Sequence, residues 1–359
     1  MLSSLDRYII RQFLGTFFFI LAVIMTIAVV FDVSEKTEDF SQMTASFWEI
    51  ATQYYVNFVI YYANFFSGLL IFIAVVLFTS RLSHRSEVIA MLSGGVSYNR
   101  FLRPYFISGT VLAGIALLVN HTVLPDANKV RLAFEEEHIR AQFFIDDSNI
   151  HREIKPGSIA YFESFDAQAQ RGYHFSLEQW DGLQLRWKLF ADRASYDTLT
   201  GHWKVEDYYI RTIDAKGEHI KQGALLDTAL ALVPSDVGQR PGNAMAMRTP
   251  QLTAFIEAEH ARGGSDTAFF EIERYQRTSA PFAVYVFTLI GVGLASRKVR
   301  GGTGLHLALG FLIALLYVFA QKMTSVAATN AGLPALIAVW IPNVIFLALG
   351  IYIHRTAPK

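Results

Sequence analysis

The chain has 359 residues, of which 52% are hydrophobic and only 17% are charged, whereas about a quarter are charged in a typical soluble domain. The formal net charge is zero, which argues against a nucleic-acid partner, and the absence of cysteine excludes disulfides, thiol catalysis and cysteine-ligated metals. Charged residues are concentrated in the middle of the chain. This distribution is typical of membrane spans on both sides of a water-exposed domain.

Six apolar segments are long enough to cross a membrane as helices, which takes about 20 residues each. The first, between Arg11 and Asp32, lacks the small-residue cleavage pattern of a signal peptide and is therefore predicted to be a membrane anchor. Three segments precede the polar middle of the chain and three follow it. The predicted spans are 12–31, 56–80, 104–124, 279–296, 305–321 and 334–353.

Lysine and arginine in the short loops predict the orientation, because these residues are retained on the cytoplasmic side. The short loops on the predicted outer side contain only Lys36 and Lys322, beside several acidic residues. The pattern therefore predicts that both termini are cytoplasmic and that 126–278 lies outside. The basic residues on the predicted cytoplasmic side are Arg7, Arg11, Arg81, Arg85, Arg100, Arg103, Arg297, Lys298, Arg300, Arg355 and Lys359.

In chain order, the loop between the second and third spans predicts a short amphipathic helix at about 83–95. Ser83 is suited to cap its start, Glu87 lies in its first turn, and Gly94 or Gly95 can end it. Such a helix is suited to docking into a groove on a partner. The alternatives are a helix lying on the membrane surface or packed beneath the spans. The apolar residues that share one face are Val88, Met91 and Leu92.

The polar middle, 126–278, is predicted to be an all-β, jellyroll-like domain with helical flanks. Runs rich in aromatic and β-branched residues alternate with glycine-containing turns, which is typical of short antiparallel strands. The acidic run 135–137 in the first flank is interpreted as a solvated helix face. The predicted strands are 158–162, 173–177, 183–190 and 203–213.

Two lysines near the outer ends of spans are candidates for lipid contact. Most such lysines only extend their charge to the interface, but Lys36 and Lys322 could instead contact anionic headgroups. Phe31, Phe65 and Phe66 are candidate apolar contacts for the same lipid.

No segment has the pattern of a catalytic or metal site. The basic, glycine-containing stretch 297–304 lacks the Lys-Ser/Thr ending of a phosphate loop, and neither HExxH nor GxSxG occurs. We therefore expect a non-catalytic chain that binds no cofactor of its own.

Several segments together resemble one known family. They are Leu5-Asp6-Arg7-Tyr8-Ile9, the stretch 85–91 followed by Ser93-Gly94-Gly95, the stretch 191–197 before Trp203, and 249–281. In this order and topology the chain resembles the lipopolysaccharide-export permeases, the YjgP/YjgQ family of LptF and LptG. The N-terminal motif is closer to LptG-like members. Those members tend to carry basic residues near the outer end of the first span, where this chain has Asp32 and Glu35, so the paralogue stays open.

The resemblance implies a subunit of an ABC-type exporter in the bacterial inner membrane. Two permeases of the family pair around a cavity, formed largely by spans one, two and five, that accepts lipopolysaccharide. A separate cytoplasmic ATPase dimer, which binds ATP, docks on the coupling helices, and periplasmic jellyroll proteins receive the lipid. The residues that would then meet the ATPase are Arg85, Glu87, Val88, Met91 and Leu92.

Two other classes of membrane protein are weighed against an exporter. A membrane-anchored envelope receptor or sensor would need fewer spans than this chain has. A secondary transporter would need ionisable residues near mid-membrane, and the middles of the predicted spans contain none.

Overall fold

The structure is a computed structural model that describes residues 3–139, 149–166, 169–214, 217–230, 232–237, 241–261, 267–297 and 302–357. Three of the basic residues used to predict the orientation, Lys298, Arg300 and Lys359, lie outside these ranges. The chain forms two compact units. The helical unit comprises Met1–Ile139, Met245–Leu252 and Ala268–Lys359, and the sheet unit comprises Arg140–Ala244 and Thr253–Thr267.

Six membrane-length apolar helical segments occur within the described residues, which confirms the predicted number. They are Ser4–Glu35, Phe47–His84, Tyr98–His138, Ala268–Ala295, Thr303–Asn330 and Ala335–Thr356. The helices before the sheet are α1 Ser4–Glu35, α2 Thr37–Gln42, α3 Phe47–Glu49, α4 Val56–His84, α5 Glu87–Ser93, α6 Tyr98–Leu118 and α7 Leu124–His138. The helices after the sheet are α8 Pro234–Val237, α9 Pro241–Ala246, α10 Thr249–Ala261, α11 Ala268–Ser279, α12 Ala283–Ala295, α13 Gly302–Asn330 and α14 Ala335–Thr356.

Two of the long segments contain a π-helical turn. Ile50–Tyr55 connects α3 to α4, and Val119–Val123 connects α6 to α7. At the end of each turn a backbone N–H reaches back five residues, from Val56 to Ala51 and from Leu124 to Val119. A π turn therefore holds one more residue than an α-helical turn of the same rise.

The helical unit has two ends. One end, called the terminal end here, is where α1 and α6 begin and where α4 and α14 end. The other, called the far end, is where α1 ends and α4 begins. Apolar side chains of α1, α4 and α6 fill a common core that includes Phe13, Val75 and Tyr105, each fully buried. On the outside of the unit large apolar side chains such as Phe19 and Phe319 are exposed, as expected for surfaces that meet lipid.

Helices α4 and α12 approach closely at Gly291. A Cβ at this position would lie 2.8 Å from Val75 Cγ1 and 3.2 Å from ring carbons of Phe72. We therefore expect Gly291→Ala to lower the free energy of unfolding by about 1–3 kcal/mol, because both neighbours are fixed in the core. Gly114→Ala is the control, since its Cβ would meet nothing within 4 Å. Thermal unfolding in detergent measures both variants, and equal melting temperatures would contradict the close packing.

The sheet unit contains one antiparallel sheet in the order β1-β2-β4-β5-β6-β7, with β3 paired to β4. Its core gathers buried aromatic rings around Trp203, whose indole nitrogen donates to the Leu232 carbonyl at 2.7 Å. The inserted all-β fold is confirmed. The strands are β1 Ile150–Lys155, β2 Ser158–Phe162, β3 Ser164–Asp166, β4 Arg171–Asp181, β5 Gln184–Asp197, β6 His202–Asp214 and β7 Gly217–Thr228.

The predicted strands correspond to β2, β4, β5 and β6, with Leu183 just outside β5, whereas β1, β3 and β7 were not predicted. Most of β7 is exposed, so its sequence shows no alternation of apolar and polar residues. β1 is similarly polar along most of its length, and among the described strands its one partner is β2. Strands at the edges of a sheet carry weaker hydrophobic patterns than central ones, which explains why these two were missed.

Candidate functional site

A cavity of about 290 Å³ lies in the helical unit between α4, α12 and α13. One part of its wall is aromatic and aliphatic. Another part carries amide, hydroxyl and ammonium groups and the Glu273–Arg277 ion pair, whose side chains approach to 3.1 Å, so the cavity has the mixed character needed to hold an amphiphilic molecule. Its polar lining includes Asn64, Gln276, Gln321, Lys322 and Ser325, and its apolar lining includes Phe65, Phe66, Phe287, Tyr317 and Val318.

Three of the five predicted lipid-contact residues, Phe65, Phe66 and Lys322, line this cavity. Lys322 is exposed and makes no ion pair with another described residue, so its ammonium group can meet an anion. Phe31 is not part of the lining. It lies towards the far end of α1 with 71% of its surface exposed.

Lys36, the remaining predicted lipid contact, is held within the protein. Its ammonium nitrogen lies 3.0 Å from a carboxylate oxygen of Asp32, donates to the hydroxyl of Tyr54, and lies 4.5 Å from the centre of that ring. Asp32 also accepts hydrogen bonds from the hydroxyls of Tyr54 and Tyr55, both at 3.2 Å. The charge of Lys36 is therefore compensated locally, in contrast to that of Lys322.

The cavity wall also contains an asparagine chain that the sequence did not reveal. Asn64 donates to the side chain of Asn120 at 2.7 Å, and Asn120 donates to the Arg277 carbonyl at 3.1 Å. The chain joins α4, the second π turn and α11. Single asparagines inside apolar segments were the available signal, since a polar side chain within a span usually has a specific partner.

A buried ion pair borders the same wall. Arg131 and Glu135, one turn apart on α7, approach to 2.6 Å, and both side chains are at least nine-tenths buried. The Arg131 guanidinium lies 4.5 Å from the ring centre of Tyr61, which lines the cavity. The acidic run 135–137 was interpreted as a solvated face; this was wrong for Glu135, which turns inward to Arg131, while Glu136 and Glu137 are exposed.

The loop at the terminal end contains the predicted short helix as α5. It begins at Glu87, after Ser86 in a left-handed conformation, and not near Ser83. Ser83 belongs to α4 and donates to the Ser296 carbonyl at 3.2 Å, so the prediction that it caps the short helix was wrong. At the other end Gly95 adopts a φ of +87°, and its N–H bonds back to the Leu92 carbonyl at 3.1 Å.

The predicted docking residues do not all point the same way. Val88 is 1% exposed and belongs to the core of the helical unit, and Met91 and Leu92 pack partly against that core. Arg85 is 71% exposed, Glu87 is 31% exposed, and Ile89, which the sequence argument did not single out, is 47% exposed. The apolar stripe therefore fixes α5 to the spans, while Ile89 and the two charged side chains are on its outward side.

Within the described residues no group of three or more histidine, aspartate or glutamate side chains is arranged to hold a metal ion. The groups that the helical unit does bring together can hold an amphiphilic molecule and present a short helix to a partner.

Six membrane-length helical segments with an all-β domain inserted between the third and fourth define a multi-pass membrane protein. The family described as "Lipopolysaccharide export system permease LptF/LptG" matches residues 7–356. The chain belongs to this family and is a permease for lipopolysaccharide export, as its motifs predicted. It is also similar to the lipopolysaccharide export system permease protein LptG of Haemophilus influenzae, with 21% identity over 375 aligned positions that cover 97% of both chains.

Proposed function

We propose that this permease is one membrane subunit of an ABC-type exporter that extracts lipopolysaccharide from the inner membrane. In this proposal a separate cytoplasmic ATPase dimer supplies the energy from ATP, and a second permease of the same family completes the path. Periplasmic jellyroll proteins then receive the lipid. The terminal end of the helical unit lies in the cytoplasm and the sheet unit in the periplasm, as the distribution of basic residues predicts.

The mixed lining of the cavity is the observation that carries the lipid part of this proposal. Lipopolysaccharide has phosphate groups next to acyl chains, and Lys322, Phe65 and Phe66 line the same cavity. An ammonium group suits a phosphate as a point charge, while the rings suit acyl chains.

The energy for transport is proposed to come from the partner because the sequence contains no complete phosphate loop. Helix α5 is the proposed docking element. Its inner face is packed into the helical unit, so a force applied to its outer face acts on the spans rather than on a loose loop. Ile89 supplies the exposed apolar contact, and Arg85 and Glu87 flank it.

Purification of the tagged protein in mild detergent from its native host tests the docking proposal, with co-purified chains identified by mass spectrometry. We expect wild type to retain an ATPase, and Ile89→Asp to reduce its recovery at least about tenfold, as for a central interface residue. Glu87→Ala should also reduce it, because Glu87 flanks Ile89 on the outward side of α5. Arg103→Gln, an exposed residue on α6, is the control and should leave recovery unchanged.

Folded wild-type protein that retains no ATPase in several mild detergents would contradict the exporter proposal. It would instead favour the membrane-anchored receptor or sensor.

A further inference from the structure

The first two turns of α1 form side-chain hydrogen bonds with α5 and with the start of α6, the helix that follows the α5 loop. After the loop, Arg100 in the first turn of α6 donates to both carboxylate oxygens of Asp6, at 2.6 and 2.7 Å. Asp6 is 1% exposed, and it also accepts from the Ser3 backbone N–H at 2.8 Å as part of the cap of α1. Two parallel charge-assisted hydrogen bonds to a buried carboxylate fix both distance and direction between α1 and α6.

On the other side of the loop, Tyr8 bonds to α5 itself. Its hydroxyl donates to Glu87 at 3.3 Å, and the same carboxylate lies 3.9 Å from Arg85. Tyr8 is two residues after Asp6, so one short stretch of α1 contacts the start of α5 and the residue that follows the loop.

Between these two polar contacts the same elements share one apolar core. Ile9 and Phe13 of α1 are fully buried in the cluster that includes Val88 of α5, with Leu92 packed against it. A dense core transmits displacement because it cannot be compressed by much. The Tyr8–Glu87 hydrogen bond and the shared core join α5 to the first turns of α1. The Asp6–Arg100 ion pair joins the same turns of α1 to α6, the helix that follows the loop, so the three elements form one body.

We propose that Asp6, Tyr8 and Arg100 are positioning residues that transmit movement of α5 to α1, and that α1 acts as a lever towards its far end. This rests on the proposed function, in which an ATPase moves α5. Helix α1 runs without interruption for 32 residues and contains no proline, so a displacement of its first turn reaches its last. Its last turns carry Phe31 and Asp32, and Asp32 accepts hydrogen bonds from Tyr54 and Tyr55, so the lever ends where α1 meets the start of the second span.

The absence of cysteine makes a direct distance measurement possible, since introduced cysteines are the only thiols of this chain and can be labelled before the complex is assembled. Val30→Cys on α1 and Val326→Cys on α13 place spin labels at two exposed positions that are separate from the cavity lining. The complex of the full chain with its ATPase and second permease is compared with and without ATP, together with the lipopolysaccharide released per ATP hydrolysed.

We expect ATP to change the distance between the labels in the wild-type complex. Asp6→Asn and Arg100→Gln should abolish this change and lower the lipid released per ATP about fivefold or more, while the ATPase stays bound and active. Arg100→Lys keeps the charge and should retain an intermediate response. Tyr8→Phe removes one hydroxyl from a 38% exposed ring, so it should fold normally and give a partial loss. Arg103→Gln is the control and should behave as wild type.

A distance change in Asp6→Asn and Arg100→Gln equal to that of wild type would overturn the inference. So would loss of the ATPase from these variants, because the ion pair would then only hold the docking surface. A wild-type complex that contains the ATPase but shows no distance change overturns the lever alone. Failure of wild type to retain any ATPase contradicts the proposed function instead, and the two failures are thus distinguishable.

Discussion

Glu135→Ala is expected to lower the free energy of unfolding of the helical unit by about 3–5 kcal/mol. The reason is that the variant retains Arg131, the buried partner of Glu135. Arg131 is 10% exposed, and removal of the carboxylate 2.6 Å away leaves the guanidinium buried without its counter-charge. The stacking of Arg131 against Tyr61 offsets only a small part of this cost. Unfolding in mild detergent, followed by intrinsic fluorescence against denaturant, measures the difference.

The control is a double variant in which both charges are removed together, Arg131→Met with Glu135→Leu. Because no unpaired charge remains and the volumes are similar, its stability should be within about 1 kcal/mol of wild type. If the double variant were as unstable as Glu135→Ala, the cost would come from lost packing rather than from an uncompensated charge.

Lys322→Glu is expected to weaken binding of lipopolysaccharide to the purified protein by about 10- to 100-fold. A hydrogen bond to a charged group contributes about 1.5–3 kcal/mol, and each 1.4 kcal/mol is a factor of ten in affinity. Reversal of the charge also adds repulsion from the lipid phosphates. Titration of the protein in nanodiscs with fluorescently labelled lipopolysaccharide measures the affinity.

Lys36→Gln is the matched control, because Lys36 is a second lysine near the end of a span whose charge is already compensated by Asp32. We expect it to change the affinity less than about threefold. Equal losses in the two variants would contradict the distinction that the structure makes between these lysines. An unchanged affinity in Lys322→Glu would contradict the proposal that lipopolysaccharide binds in this cavity.

Both lysines looked equivalent in the sequence, since each is a single basic residue near the outer end of an apolar segment. Hydrophobicity and length sufficed to predict the spans, because the membrane imposes both on every spanning helix. They could not predict that Asp32, Tyr54 and Tyr55 surround Lys36. Those contacts depend on the tertiary packing of α1 against the start of α4, which the local sequence does not specify.

The short helix α5 likewise has features that the sequence predicted and others that it did not. Its place in the loop and its glycine ending followed from the residues, because the ending is local chemistry. Its start did not, since Ser83 belongs to α4 and the helix begins at Glu87. The direction of its apolar stripe did not, because an amphipathic helix can turn that stripe to a partner or to its own protein. The structure turns Val88 inward, which left Ile89 as the exposed apolar residue. The resemblance to the permease family covered the whole chain, but it could not supply this orientation.

The two π turns have a consequence for how these spans tolerate change. One extra residue rotates all that follows by about 100° relative to an uninterrupted α-helix. Tyr54 and Tyr55 lie in the first turn, which therefore sets which side chains reach the Lys36–Asp32 ion pair. Asn120 lies in the second turn, which sets its hydrogen bond with Asn64. The number of residues in each of these two π turns is therefore constrained more tightly than the identity of those residues. Loss of a single residue from either turn would rotate the helix after it relative to the helix before it, α4 relative to α3 or α7 relative to α6, and would leave the composition of the span almost unchanged.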